Sequence, residues 1–242
     1  MDQLLVSIVI PAYNEEARIG ATLDRIGQYF ATSALTGEVL VINDGSRDQT
    51  AAVVTQSRAG NLAVQLIEMP INQGKGAAVK IGMMAARGEY VFFYDADGST
   101  PIEELDKALP LLQGEWDVVI GSRAVDGADI PVRQPWYREG MGKIFNKIVK
   151  LIALADFYDT QCGFKGFRRS VIPTVFSRQT IERWGFDVEI LFIAKKHGCR
   201  IKEMPVRWLN SPQTKINVYR DSWNMFLEVL SVRLKSMKGL YR

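Results

Sequence analysis

The chain has 242 residues, 47% of them hydrophobic and 24% charged, with a formal net charge of +3. That composition is ordinary for a soluble globular protein and allows one large domain, or one domain with a compact extension. The single histidine, His197, excludes a His-based zinc site and gives a His-based triad little support, while two distant cysteines, Cys162 and Cys199, form no metal-ligand pattern and point to a reduced intracellular setting.

Residues 4–10 read as an apolar strand stopped by Pro11, and residues 15–30 as a helix with Ile19, Leu23, Ile26 and Phe30 on one face. A second strand over 38–42 ends in Asn43, Asp44, Gly45 and Ser46, with Ser46 or Asp48 placed to cap the next helix. A third strand covers 62–68. A polar glycine loop, Asn72 to Gly76, then feeds a helix over 77–86. Tyr90–Tyr94 is apolar on both faces, which suits a central parallel strand covered by helices. Thr100, Pro101 and Glu103 spell a capping box for a helix over 101–112, and residues 117–120 give another strand. Residues 124–138 read as a flexible loop and 137–155 as a long helix with a wide apolar face. A polar glycine-rich segment over 159–167, a short element over 170–176, a helix over 188–196, a strand over 201–206 and a polar loop over 210–217 follow. From 219 to 240 the pattern is helical, with Trp223, Phe226, Leu227, Leu230 and Leu234 recurring beside Arg220, Arg233, Lys235 and Lys238. This fits an amphipathic helix lying on a membrane, or one docked on the domain or on a second subunit.

The alternation of strands and helices predicts an α/β domain over 1–218 with a mostly parallel sheet, and a helical extension over 219–242. The loops at 11–15, 43–48, 72–76 and 95–100 then converge on one sheet edge, where open α/β sheets bind ligands. Gly74-x-Gly76 lacks the spacing of a P-loop, and no Gly-x-Gly-x-x-Gly follows the first strand. At the lip of the central strand stand Asp95, Ala96 and Asp97. Core packing does not explain two acids there; a divalent cation holding a diphosphate does. Residues 205–242 carry seven Lys or Arg against two acids, whereas the rest of the chain sums to −2. That slightly acidic body, without a basic stripe interleaved with aromatics, argues against nucleic acid. No stretch of 18 apolar residues is present, so no transmembrane span is predicted, and the start of the sequence shows no signal peptide.

The segments VSIVIPAYNEEARI, VLVINDGSRDQT, NQGKGAAV, YVFFYDADGST and VVIGSR occur in the order seen in GT-A-fold glycosyltransferases of the family 2 type. The later segments DTQCGFKGFRR, ERWGFDVEILFIAKKHG and IKEMPVRW resemble the dolichyl-phosphate β-glucosyltransferase branch. The resemblance implies a GT-A (Rossmann-like) fold. It also implies a nucleotide-sugar donor, Mg²⁺ or Mn²⁺ as cofactor, and a polyprenyl-phosphate acceptor at the cytosolic face of a membrane. By the same resemblance Pro11, Tyr13, Glu15 and Asp44 line the base and ribose pocket, with Lys75 near the nucleotide. Asp95-Ala96-Asp97 matches the DxD motif, with Asp97 the direct metal ligand. Ser99 stands where mannosyl relatives tend to have a Gln ligand, which leaves the third protein ligand open. Arg123, Arg138 and Lys215 are expected to meet phosphates, and Gln161 and the segment 184–187 to face sugar and acceptor.

A lipid monophosphate is substantially ionised near neutral pH and attacks without a base, so the expected reaction is an inverting displacement giving a β-linked lipid phosphate sugar. A sugar hydroxyl acceptor requires a carboxylate base, for which Asp187 or Glu189 is available. Mannosyl transfer from GDP-mannose, and a sugar-nucleotide-binding scaffold without turnover, are the other readings. Peripheral membrane contact is expected through 141–155 and 219–240, and a homo-oligomer stays open. Structural roles remain beside the functional ones: Asp44 as an Asx turn, Glu15 and Asp187 as first-turn helix acids, Asp159 and Gln161 as organisers of their own loop.

Overall fold

The computed structural model describes residues 4–57, 59–60, 62–132, 140, 149, 154–210 and 218–242. Nine strands are seen among them: β1 (Val6–Ala12), β2 (Gly37–Asp44), β3 (Ala63–Met69), β4 (Tyr90–Tyr94), β5 (Val118–Ser122), β6 (Asp129–Val132), β7 (Phe164–Arg168), β8 (Ile201–Pro205) and β9 (Arg207–Leu209). The α-helices are α1 (Ile19–Thr32), α2 (Thr50–Gln56), α3 (Lys75–Ala85), α4 (Leu105–Gln113), α5 (Ile172–Phe176), α6 (Phe186–Lys196) and α7 (Val218–Met237).

The main sheet runs β3-β2-β1-β4-β7-β5-β8, and β6 pairs with β9 in a second, two-stranded sheet. Every pairing in the main sheet is parallel except those of β7, which runs antiparallel to both β4 and β5. Strand alternation sorts the core onto two faces. Ile8, Ile10, Val39, Val41 and Phe92 pack with α1, α2 and α4, whereas Val9, Leu40, Ile42 and Phe93 pack with α3, α5, α6 and α7. Phe92 and Phe93, adjacent and both at 0% exposure, thus serve opposite layers, and full burial of each is worth about 1.5–3 kcal/mol. The predicted α/β architecture with its mostly parallel sheet is what the chain adopts.

Several local expectations change, among them that β6 lies in the segment 124–138 read as a flexible loop and that β1 runs through Pro11 to Ala12. The segment 159–167, read as polar and glycine-rich loop, runs into β7, an interior strand of the sheet. Its Phe164 and Phe167 are core residues, but Lys165 and Gly166 between them interrupt the hydrophobic pattern. Gly166 is required there, because a Cβ would come within 2.3 Å of the Phe92 ring on the neighbouring strand. The Thr100 capping box does not form. Pro101 stays extended, its successor Ile102 opens a 3-10 turn without a side-chain cap, and Thr100 O accepts the Tyr94 hydroxyl. Finally α1 begins at Ile19 instead of residue 15, since 15–18 form a turn in which Glu15 O accepts the N–H groups of Arg18 and Ile19.

α7 docks through Val229 and Val232, both fully buried, and leaves Trp223, Leu227, Leu234 and Met237 exposed, with Leu240 exposed in the turn that follows. Among the described residues no helix is long and apolar enough to cross a membrane. The predicted helix over 137–155 lies almost entirely outside the described residues, as do Arg138 and Lys215.

Candidate active site

Parallel strands β1, β2, β3 and β4 deliver their C-terminal ends to one edge. Because β7 is antiparallel, with Phe164 opposite Tyr94, it brings the loop before it, 159–163, to that same edge. The first two loops are laced together. Asn14, in the left-handed region at φ 53°, accepts Arg47 N–H on Oδ1 at 2.8 Å and donates its own N–H to Ser46 Oγ at 2.9 Å. Glu15 N–H donates to Thr50 Oγ1 at 2.7 Å. Beside this lacing opens a cleft of about 650 Å³, lined by Tyr13, Asn43, Glu68, Met69, Pro70 and Ile71 among others.

Asp44 faces the glycine loop. Its carboxylate accepts the N–H groups of Gln73 at 2.7 Å and Gly74 at 2.8 Å and the Asn72 amide at 2.8 Å. Burial raises its pKa despite these donors and Arg183. Asp44 therefore fixes the loop that carries Lys75. Pro11 lies half-buried in β1 opposite Ile42. Glu15 grips Arg18 with both oxygens at 2.7 Å, and Arg18 in turn approaches Asp97 Oδ2 at 3.9 Å. Ala96 is buried, its carbonyl accepting Thr22 Oγ1 at 2.8 Å.

At the lip of β4 the two acids have different surroundings. Asp95 Oδ1 holds Lys75 Nζ at 2.6 Å, and its N–H donates to Gly163 O at 3.0 Å. Asp97 accepts Ser99 N–H at 2.9 Å. Its pKa is raised, first by burial and then by the Asp95 charge, which Ser99 and Arg18 offset only in part. Lys75 keeps its proton above its usual range, since Asp95, Asp187 and Asp97 together overcome the burial that opposes its charge. Ser99 Oγ is buried beside Asp97 and meets no hydrogen-bond geometry among the described residues. Two carboxylates and the Ser99 hydroxyl form a hard oxygen donor set that fits Mg²⁺ or Mn²⁺, although no third His, Cys, Asp or Glu joins them among the described residues.

The far side of the edge is built from ion pairs. Arg123 clasps Asp159 with Nε at 2.6 Å and a terminal nitrogen at 2.9 Å, and its guanidinium lies 5.4 Å from the Trp208 ring centroid. Burial pushes Asp159 up, but Arg123 prevails and leaves its pKa lowered; the same carboxylate raises that of Arg123. Gln161 donates its N–H to Asp159 Oδ1 at 3.2 Å and its amide to the Met225 sulfur of α7 at 3.2 Å. Asp187, on the first turn of α6, is paired with Lys165 at 2.6 Å, and burial keeps its pKa raised against the pull of Lys165 and Lys75.

Residues 7–176 match the family described as glycosyl transferase family 2. The chain belongs to that family. It is 34% identical to a dolichyl-phosphate beta-glucosyltransferase of Trichomonas vaginalis, covering 99% of this chain and 74% of the relative. It is also 34% identical to the dolichyl-phosphate beta-glucosyltransferase of Homo sapiens, over 98% of this chain and 77% of that one. Among solved structures, glucosyl-3-phosphoglycerate synthase from Mycobacterium tuberculosis, in complex with Mn²⁺, uridine-diphosphate and phosphoglyceric acid, superposes with a TM-score of 0.71. It shares 18% identity and covers 96% of this chain and 78% of its own. The fold is thus GT-A and the protein a glycosyltransferase.

In this family member the edge gathers Lys75, Asp95, Asp97 and Asp187 in one charged cluster, with Glu15 joined through Arg18. Sequence reasoning missed Arg18, Gly163 and Lys165. All three lie inside the segments that carry the family resemblance. None stood out alone, because a glycine and two cations in polar stretches read as loop chemistry.

Proposed function

We propose that this chain transfers glucose from UDP-glucose to dolichyl phosphate or another polyprenyl phosphate, inverting the donor's α linkage to a β-linked lipid phosphate sugar, with Mg²⁺ or Mn²⁺ held by Asp95, Asp97 and Ser99. The names of the relatives support the sugar and the acceptor, and the Mn²⁺ and uridine-diphosphate of the superposed synthase support the donor and metal. The cleft beside Tyr13 and Asn43 takes the nucleoside, next to the glycine loop that Asp44 fixes.

The bound cation supplies neutralisation of the leaving diphosphate. Lys75, kept charged by its neighbours, presents a second positive group to the same phosphates. Arg123, oriented by Asp159 and close to the Trp208 ring, receives the acceptor phosphate. The observation that carries the acceptor reading is the state of Asp187. It is buried and tied to Lys165, which suits a nucleophile that arrives already ionised better than one whose proton must be taken. The lipid acceptor brings the reaction to a membrane. The exposed apolar stripe of α7, flanked by Arg233 and Lys238, is the surface we assign to that contact.

The test is a panel of UDP-glucose and GDP-mannose against a short polyprenyl phosphate, with metal varied and the anomer of the product determined. A metal-dependent β-glucosyl phosphate is expected. An α-linked product, a preference for GDP-mannose, or turnover with a saccharide hydroxyl alone would overturn the reading.

A further inference from the structure

β7, an interior strand of the sheet, carries a lysine with 0% exposure, Lys165. An ammonium group is tolerated in such a place only if its protons find acceptors and its charge finds a partner. Lys165 Nζ donates to Cys162 O and to Asp187 Oδ1, both at 2.6 Å, and lies 4.9 Å from the centroid of the Phe93 ring. Lys75 Nζ lies 5.5 Å from the centroid of that same ring and holds Asp95 Oδ1 at 2.6 Å. Asp187 is therefore shared electrostatically between two lysines. The charges that act on it most among the described residues are Lys165 from β7, Lys75 from the start of α3 and Asp95 just after β4. In the order Asp95, Lys75, Asp187, Lys165 the four groups alternate in sign.

Such an array contains a competition. Lys75 is attracted by Asp95 first and Asp187 second. While Lys165 engages Asp187, Lys75 stays with Asp95 at the open edge of the sheet. Without Lys165, a buried carboxylate is stranded, and Lys75 is the cation left beside it. We infer that Lys165 is a positioning residue for the donor site: by engaging Asp187 it keeps Lys75 on Asp95, where it meets the diphosphate. Its second bond acts in the same direction. By holding Cys162 O it steadies the turn whose next residue, Gly163, accepts the Asp95 N–H. Lys165 touches neither nucleotide nor sugar in this scheme.

The inference rests on the donor-site reading above, and its test uses binding instead of turnover. UDP affinity is measured by titration calorimetry with Mn²⁺ present, on the full chain. Lys165→Gln is expected to weaken UDP about tenfold. Adding Asp187→Asn removes the stranded carboxylate, so the double variant K165Q/D187N is expected to return to within about threefold of the unsubstituted chain. A packing role alone predicts no such recovery. The inference is overturned if K165Q folds and binds UDP normally, or if the double variant binds no better than K165Q. Should K165Q fail to fold, the double variant carries the test, since it buries no unpaired charge. Affinity more than about tenfold below normal, or failure to fold, overturns the inference. Absence of UDP binding by the unsubstituted chain would sink the donor-site reading itself, and this inference with it.

Discussion

Replacing Gly163 by alanine puts a methyl group where Asp95 now lies. A Cβ built on Gly163 falls 1.8 Å from Asp95 Oδ2 and 2.1 Å from its carboxylate carbon. An ordinary non-bonded contact is roughly 3.5 Å, so the carboxylate must retreat by about 1.7 Å. The backbone cannot yield as readily, because Gly163 O accepts the Asp95 N–H and the next residue is locked into β7 between two strands. Asp95 therefore rotates away, and its 2.6 Å contact with Lys75 breaks. Misplacing a reacting array by about 1 Å can cost on the order of 10²-fold in rate, and overpacking of this kind costs about 1–3 kcal/mol of stability. Glucosyl transfer from UDP-glucose to a short polyprenyl phosphate, measured with saturating Mn²⁺, is expected to fall by about 10²-fold in Gly163→Ala while the protein stays folded by circular dichroism. A folded variant with kcat within threefold of normal would refute the claim that the Gly163 approach sets the position of Asp95.

The neighbouring groups give three further expectations. Asp97→Asn should lower metal-dependent transfer by about 10²-fold or more, yet leave the melting temperature at pH 7.5 unchanged or higher. The sign follows from its raised pKa: the folded chain binds that proton more tightly than the unfolded chain, so the ionised group weighs against the fold as pH rises. Arg123→Met strands Asp159, whose side chain is 1% exposed, and should cost about 3–5 kcal/mol in urea denaturation at neutral pH. Because Asp159 has a lowered pKa, its contribution is present above its ordinary carboxylate range and lost as pH falls beneath it; an R123M variant with an unchanged acid limb would contradict this. Trp223→Glu with Leu234→Glu should reduce sedimentation with anionic phosphatidylglycerol vesicles at least tenfold and spare turnover of a water-soluble acceptor, whereas equal vesicle binding would remove α7 as the contact surface.

Much of the donor half was legible because its chemistry sits where strands end. The apolar runs of β1, β2 and β4 and the acids after β4 follow from periodicity and from the poor fit of carboxylates to a core. The acceptor half was harder. β7 hid behind Lys165 and Gly166, each required by a neighbour that only the folded chain supplies, Asp187 in one case and Phe92 in the other. Asp44 shows the opposite difficulty. It was expected at the base and ribose, and its oxygens are engaged by the loop that bears Lys75, close to the Asx-turn alternative in spirit but with partners nearly thirty residues away in the chain. In α7 the apolar stripe over Trp223, Leu227 and Leu234 was visible, but which side would dock was not. Val229 and Val232 form the docked side, and periodicity alone does not rank two apolar faces of one helix.

The antiparallel strand also dictates an order of assembly. β4 and β5 are consecutive in the sheet's first half of the chain, yet they never pair with each other; β7, made later, is inserted between them. Until residues 164–168 arrive, the inner borders of both strands present bare N–H and C=O groups, the template on which strangers pair. Closing that gap is a long-range step, slow by loop closure and exposed to misassembly. A fragment that stops short of Phe164 keeps β1 to β4 in order but leaves β4 as a raw edge, and such fragments are expected to aggregate where the full chain does not.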